Sequence, residues 1–154
     1  MILSKKSIYG LKALLSLARR DSKDLVIISD LAREENIPKK FLEAILLALK
    51  NGGILHSRIG KGGGYSLAVP ARELTVGRII RILEGDYAPL ACLNATNYSQ
   101  CTDCNDMESC GIRLVMSDVH RALISVLDSA LLSGMVERSD AVKKECNHII
   151  DYTI

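Results

Sequence analysis

Apolar residues recur at helical spacing along most of the chain. The spacing predicts helices over residues 5–20, 30–35, 38–50, 76–84 and 112–132. In each of them, apolar positions three and four residues apart would form one buried face. Ser4, Ser29 and Thr75 stand where N-caps are expected, because their side chains can accept a hydrogen bond from the first turn. Polar residues 21–24 break the pattern and are predicted to form a turn after the first helix.

The segment after the third helix has the pattern of a β-hairpin. Short strands at residues 54–58 and 65–68 flank the glycine-rich turn at 60–64, which reads GKGGG. The glycines lack the G-x-x-x-x-G-K-[ST] order and lie in a hairpin, which excludes a nucleotide-binding P-loop. A short helix, a tight turn, a longer helix and a hairpin together indicate a winged helix-turn-helix. The predicted fold is therefore mainly α with a small β-hairpin wing.

The helix at residues 112–132 has the most regular apolar stripe. Positions at alternating spacings of four and three form a heptad seam of Ile112, Met116, Val119, Leu123, Val126 and Ala130. An ordinary core helix would show part of this stripe, but its width exceeds what one small domain needs. We predict that it forms a homodimer interface. From Ser133 onward the chain reads as polar and irregular, with a short helix at about residues 139–145.

These patterns divide the 154 residues into four segments. The predicted segments are a winged helix-turn-helix DNA-binding domain at 1–85, a cysteine-rich loop at 86–111, a dimerisation helix at 112–132 and a polar tail at 133–154. Lysines interrupt the N-terminal apolar residues, so neither a signal peptide nor a membrane span is predicted. We expect a cytoplasmic protein without a membrane partner.

The net charge of +2 conceals two oppositely charged halves. Residues 1–85 contain 15 Lys and Arg against 8 Asp and Glu, whereas residues 86–154 contain 5 against 10. A basic first half is typical of a nucleic-acid reader, although a solvated face also collects lysines. We predict that the helix-turn-helix and the wing contact double-stranded DNA. The candidate contacts are Ser29, Lys39, Lys40, Phe41, Glu43, Ala44, Ser57, Arg58, Gly60, Lys61 and Gly62.

Four of the five cysteines fall within nineteen residues. Cys92, Cys101, Cys104 and Cys110 have the spacing C-x8-C-x2-C-x5-C on a polar segment without periodicity. A loop of this length is uncommon unless it is functional or disordered. In a reducing compartment, clustered thiols are more often metal ligands or redox centres than disulfides.

Three interpretations of the four thiols remain open at this point. They could hold an iron–sulfur cluster or a structural zinc, or act as free redox thiols. The single C-x2-C pair counts against zinc, whose modules usually carry two pairs. Cys146 stands apart in a charged tail and is not expected to be a ligand.

An enzyme is the least favoured class. A redox C-x-x-C normally opens a helix beside a βαβ unit, and the pattern contains no such unit. His56, His120 and His148 are scattered, with no Ser/His/Asp constellation around them. We therefore predict no catalysis and no small-molecule substrate.

The sequence resembles the Rrf-type winged-helix regulators, a family that includes IscR, NsrR and CymR. The matching segments are residues 3–11, 28–32, 37–43, 60–67 and 74–77, followed by the cysteine loop and the long helix. The resemblance covers about residues 1–133. It implies a dimeric transcription regulator that binds DNA and often holds an iron–sulfur cluster in this loop.

The resemblance also suggests a ligand set. Members commonly place three cysteines in the loop, the last two separated by five residues, as Cys104 and Cys110 are here. Cys92 fits the first cysteine with a longer gap. Some relatives add a histidine three residues after the last cysteine, and that position is Arg113 in this chain.

Other relatives take their fourth ligand from the N-terminus of the partner. Ile8 and Lys12 occupy those places here, and neither is a suitable ligand. Cys101 is an extra thiol that would fill the vacancy, which implies an all-cysteine 2Fe–2S or 4Fe–4S cluster. The wing also departs from the family, because Arg58 lies one place before the usual arginine and Ile59 occupies that position.

Overall fold

The computed structural model describes residues 3–20, 24–104 and 106–150, with side chains as far as Glu145. Within these residues the elements are α1 (Lys5–Ala18), α2 (Ile28–Glu34), α3 (Lys39–Asn51), β1 (Leu55–Arg58), β2 (Gly64–Leu67), α4 (Val76–Glu84), α5 (Gly111–Ser129) and α6 (Leu132–Ile150). None of the helices found there is long and apolar enough to cross a membrane. The predictions for residues 21–23 and for the Cys146 side chain lie outside the described part.

Helices α1 to α4 enclose a core built from aliphatic side chains. The fully buried members include Leu14, Leu31, Leu42, Ile45, Leu46, Leu49, Ile79 and Ile80. The predicted caps at Ser4 and Thr75 are confirmed, since their side chains accept from the N–H groups of Ser7 and Arg78. The predicted cap at Ser29 is wrong. Ile27 is the N-cap of α2, and Ser29 lies exposed in the first helical turn.

The turn between α2 and α3 fixes the helix-turn-helix. Asn36 adopts φ 53°, a left-handed conformation that asparagine tolerates better than most residues. The buried Ile37 donates its N–H to the carbonyl of Ala32 at 2.9 Å, which closes the end of α2. Pro38 then stands at the N-cap of α3, where its missing N–H costs nothing.

The wing is the predicted antiparallel hairpin, with Leu55 opposite Leu67 and Arg58 opposite Gly64. A further backbone contact of the wing was not predicted from the sequence. Val26 pairs with Tyr65 through two backbone hydrogen bonds of 2.9 and 3.0 Å, which anchors the wing to the segment before α2.

The chain after the cysteine loop differs from the prediction. Helix α5 ends at Ser129, because Ala130 and Leu131 are extended and bridge the residues before α4. The N–H of Val76 donates to the carbonyl of Ala130 at 2.8 Å. The prediction of an irregular segment from Ser133 is wrong. Helix α6 begins at the fully buried Leu132 and contacts α1, where Arg19 pairs with Asp140 at 3.1 Å.

Candidate functional site

The first half of the cysteine loop is held by short-range hydrogen bonds. Cys92 lies in a 3-10 turn, Ala91–Leu93, and the N–H of Ser99 returns to the Ala91 carbonyl at 3.2 Å. The Asn94 side chain accepts from the N–H groups of Thr96 at 3.0 Å and Asn97 at 2.6 Å. This Asx turn reverses the chain between Cys92 and the next cysteine.

The second half of the loop is organised around Asp106. Its carboxylate accepts from the N–H of Glu108 at 3.0 Å and from the Ser109 hydroxyl. Its carbonyl accepts from the Cys104 thiol at 3.2 Å. These bonds lead the chain into α5 with Cys110 at the N-cap position.

All four loop cysteines line one cavity of about 300 Å³. The other lining residues are mainly apolar and are Leu90, Ala91, Ser99, Gln100, Met107, Ile112 and Arg113. Cys101 is exposed, and the other three thiols are half-buried. Within the described residues, no three Cys, His, Asp or Glu side chains are close enough to hold a metal ion. The thiols thus share a cavity without forming a coordination sphere.

The thiols of Cys104 and Cys110 are inequivalent. A hydrogen bond from the backbone N–H of Arg113, in the first turn of α5, holds the pKa of Cys110 below its usual value. Partial burial and a hydrogen bond with Cys110 raise the pKa of Cys104. Cys110 is therefore the thiol of this pair that ionises first.

Arg113 is a cavity residue that the sequence suggested only as a departure from the family pattern. Its Nε atom is shielded from solvent and has no hydrogen-bond partner among the described residues. Four soft thiols, apolar walls and one cation suit an anionic iron–sulfur group, because thiolate ligands carry negative charge. The donor set of this site therefore fits such a group.

The predicted DNA contacts lie on the first two turns of α3, the start of α2 and the wing. All of them are exposed except Ser57, which is half-buried. Lys39, Lys40, Arg58 and Lys61 form no ion pair with any described residue. Their charges are therefore available to an anionic partner.

Two apolar residues accompany these cations. Phe41 packs edge-on against Tyr9, with ring centroids 5.7 Å apart, and still exposes 42% of its surface. Ile59 is 94% exposed beside the wing turn.

Helix α5 buries no residue within the single chain. Ile112, Val119 and Val126 of the predicted seam are exposed, and Met116 and Leu123 are half-buried. Val115 and Leu114 add further exposed apolar surface. Ala130 lies past the end of the helix and packs against the core instead.

A polar joint connects α4, the cysteine loop and α5. Arg81 on α4 donates to both carboxylate oxygens of Asp128 on α5, at 2.6 and 3.2 Å, and to the Tyr87 hydroxyl at 3.1 Å. Asp86 accepts from the loop N–H of Ala95 at 2.7 Å. The other oxygen of Asp86 lies 3.6 Å from Nε2 of His120 on α5.

The sequence did not predict this joint, because Asp86 and His120 are 34 positions apart and Arg81 and Asp128 are 47 positions apart. Their types gave no signal either, since single Arg, Asp and His residues on a helix are usually solvated. We refer to Arg81, Asp86, Tyr87, His120 and Asp128 as the joint.

A winged helix-turn-helix followed by a long exposed apolar helix is the architecture of a winged-helix transcription regulator. The Rrf2 family model, described as an iron-dependent transcriptional regulator, matches residues 3–138, and the chain belongs to this family. The chain is also 38% identical over 146 residues to an rrf2-like HTH-type transcriptional regulator of Rhodobacter capsulatus. That alignment covers 93% of this chain and 97% of the relative.

Two solved structures share the fold. One is CymR, the global cysteine regulator of B. subtilis, with a TM-score of 0.72, 27% identity, and coverage of 90% of this chain and 98% of that one. The other is T. potens IscR, with a TM-score of 0.68, 27% identity, and coverage of 90% and 88%. The predicted fold class and the resemblance to this family are confirmed.

Proposed function

We propose that the protein is a dimeric DNA-binding transcription regulator that senses iron, redox state or nitric oxide through an iron–sulfur cluster on its cysteine loop. The observation that carries this proposal is the single apolar cavity lined by all four loop cysteines. The description of the family as iron-dependent supports it. The basic helix-turn-helix and wing support the DNA-binding part.

Cys92, Cys101, Cys104 and Cys110 would hold the 2Fe–2S or 4Fe–4S group. When bound, such a group supplies one-electron exchange at a potential set by its surroundings. The lowered pKa of Cys110 favours its thiolate form, and ligation requires deprotonated sulfur. Cys101 is the most exposed of the four loop thiols. Its assignment as a ligand has the least support, because the family pattern contains no counterpart.

DNA would be read by the exposed N-terminal turns of α3, with the wing on the backbone or in the minor groove. Lys39, Lys40 and Lys61 would supply phosphate contacts, and Glu43 lies where a base edge can be reached. Gly60 and Gly62 adopt φ of 105° and 80° and have open space around them. The wing backbone can therefore approach a phosphate closely.

The second copy would pair along α5. The exposed ridge of Ile112, Val119 and Val126 is an apolar surface of the kind that usually marks an interface. A two-fold dimer would place two α3 helices on half-sites about 34–36 Å apart or a multiple of that spacing.

The joint would transmit a change in the cysteine loop to the DNA-binding helix-turn-helix and wing. Asp86 holds the loop at Ala95 and faces His120 on α5, while Arg81 ties α5 to α4. A change in loop order would alter these contacts and so the tilt of the winged domain on the dimer helix.

A thiol switch is the second candidate function. The observation in its favour is that Cys104 and Cys110 line the same cavity and that their pKa values are shifted in opposite directions, each thiol contributing to the shift of the other. A low-pKa thiol beside a second thiol is the usual arrangement of a redox sensor. A structural zinc on the same four thiols is the remaining alternative.

Anaerobic purification with iron and sulfide analysis and a visible spectrum tests the proposal. We expect a brown protein with iron and acid-labile sulfide, and loss of both in Cys104→Ser and Cys110→Ser. Cys146→Ser is the matched control and should keep the full spectrum. A colourless protein with one zinc per chain, or with neither metal nor sulfide, would refute the cluster. A full cluster in Cys101→Ser would move the fourth ligand elsewhere.

A further inference from the structure

Arg113 is the only charged residue among the described residues that line the cysteine cavity. It lies three positions after Cys110, so one turn of α5 carries it back toward the same cavity. Its Nε–H is shielded from water, yet finds no acceptor among the described residues. A shielded charged donor is unfavourable unless an acceptor is present in the functional state.

We infer that Arg113 is a positioning residue that neutralises negative charge in the cysteine cavity and donates its Nε–H to a sulfur atom there. This inference rests on the proposed cluster and goes beyond it, because it gives a role to a residue that is not a ligand. The guanidinium suits the role, since it stays charged at every relevant pH.

The charge of Arg113 has a defined consequence for the redox equilibrium. Four thiolates make an all-cysteine cluster anionic, and a one-electron reduction adds a further negative charge. A cation at an apolar wall therefore stabilises the reduced state more than the oxidised state. Arg113 should raise the reduction potential.

Acidic residues of the same loop act in the opposite direction. Asp103, Asp106 and Glu108 are exposed, and none of them lines the cavity. Asp106 is also engaged by Ser109 and Glu108 within the loop. Water and salt screen exposed charges more than partly buried ones, so the half-buried Arg113 in the cavity wall should dominate.

The test is a dye-mediated titration of the reconstituted protein with dithionite as the one-electron reductant. The variants are Arg113→Gln, which removes the charge, and Arg113→Lys, which keeps it without the planar fork. Arg121→Gln is the matched control, because Arg121 lies two turns further along α5 and pairs with Asp118 on the exposed surface. Iron and sulfide content and the visible spectrum are recorded for each protein.

In Arg113→Gln we expect reduction to become at least about tenfold less favourable, a fall of about 59 mV for a one-electron couple. Arg113→Lys should fall less, and Arg121→Gln should match the wild type. A fully loaded Arg113→Gln with the wild-type potential would overturn the inference while leaving the proposed function intact.

Two other outcomes are equally decisive. If Arg113→Gln loses iron but Arg113→Lys retains it, the charge is needed to keep the group, which supports the inference. Loss of iron from both variants, with unchanged thermal unfolding of the metal-free proteins, would show that the charge of Arg113 does not retain the group. That result would overturn the inference. A wild-type protein without iron and sulfide would refute the proposed cluster and, with it, this inference.

Discussion

The two halves of the molecule differ in how much of their apolar surface is buried within a single chain. Before Gly85, four helices and the wing enclose a core in which many aliphatic side chains are fully buried. After Gly85, Tyr87 and Leu132 are the only buried apolar residues in the described part, and α5 buries none. The first half contains nearly all of the buried core, to which Leu132 of the second half adds, whereas the rest of the second half presents surfaces that a single chain leaves open.

Each open surface in the second half has a character that indicates what would cover it. The cavity offers soft thiols and a cation, which suit an anionic iron–sulfur group. The α5 ridge offers aliphatic side chains in a heptad pattern, which suit a second copy of the same helix. The joint contacts α4, the cysteine loop and α5, so we propose that it couples occupancy of these surfaces to the DNA-binding elements.

The largest expected effect is a loss of stability on substitution in the core of the first half. Leu46→Ala on α3 removes a fully buried side chain and should lower the free energy of unfolding by about 2–5 kcal/mol. Leu47→Ala is the matched control on the same helix, because Leu47 is 53% exposed, and it should cost at most about 0.5 kcal/mol. Urea unfolding measures both. Equal losses would contradict the assigned core.

A charge on the α5 ridge tests the open half. Val119→Glu would bury a carboxylate without a partner in the seam, so we expect a rise of at least about a hundredfold in the dimer dissociation constant. The monomer should remain folded, since Val119 is 41% exposed and is not a member of the buried core. Analytical ultracentrifugation measures the change, with Arg121→Glu as the control on the far side of the helix. An unchanged dimer would show that α5 is not the interface.

Loss of one wing cation sharpens the assignment of the DNA surface. Lys61→Ala should weaken binding to all duplexes alike and lower the slope of log K against log salt by about one unit. Lys144→Ala on α6, which is also exposed and is not among the predicted DNA contacts, should change neither quantity. Fluorescence anisotropy at several salt concentrations measures both. The same slope in wild type and Lys61→Ala would exclude a phosphate contact.

A substitution in the joint should weaken the coupling between the cysteine loop and DNA binding. Arg81→Gln removes a bidentate pair with Asp128 and should cost about 1 kcal/mol of stability. It should also reduce the difference in DNA affinity between the protein with and without its cluster. Arg78→Gln on the same helix, which reaches only the Gly52 carbonyl at 3.4 Å, is the control. An undiminished difference in Arg81→Gln would place the coupling elsewhere.

The smallest expected effect is a pH dependence at the end of α4. Partial burial opposes ionisation of Glu84, but the Ser7 and Ser4 groups at the start of α1 outweigh it and hold its pKa below the usual value. The N–H of Ser4 donates to Glu84 at 2.8 Å. A lowered pKa stabilises the folded protein at neutral pH, and this contribution is lost as the pH falls below about 4.5.

Glu84→Gln should therefore be less stable than wild type at pH 7, by less than about 1 kcal/mol. The difference should narrow as the pH falls from 7 to 3. Thermal unfolding of the two proteins at both pH values measures it. A difference of the same size in acid would show that it does not come from the ionised carboxylate.

Local signals explain the part of the fold that the sequence predicted. Helix α4 has the predicted bounds, because Thr75 caps it and Gly85, at φ 82°, ends it. The hairpin was predicted from its glycines, and the helix-turn-helix from two helical patterns separated by a tight turn, where the structure places Asn36 and Pro38. In these places the chain carries its own start and stop residues.

Long-range contacts explain what the sequence missed. Helix α5 stops at Ser129 because Ala130 accepts a hydrogen bond from Val76, and no residue near Ser129 indicates this. Helix α6 is polar along most of its length. It begins at Leu132 because the distant α1–α4 core buries that side chain. The shared cavity of the four cysteines was expected from spacing, whereas the position of Arg113 in its wall required the fold.

The most direct test of the account is native mass spectrometry of the anaerobically prepared protein, because one spectrum reports both subunits and bound groups. We predict a dimer mass with an added iron–sulfur mass for each chain. Mild activation should dissociate it into monomers that retain the cluster, since all four proposed ligands come from one chain. A monomer mass without added iron and sulfide would contradict the claim that the second half is completed by a cluster and a second copy.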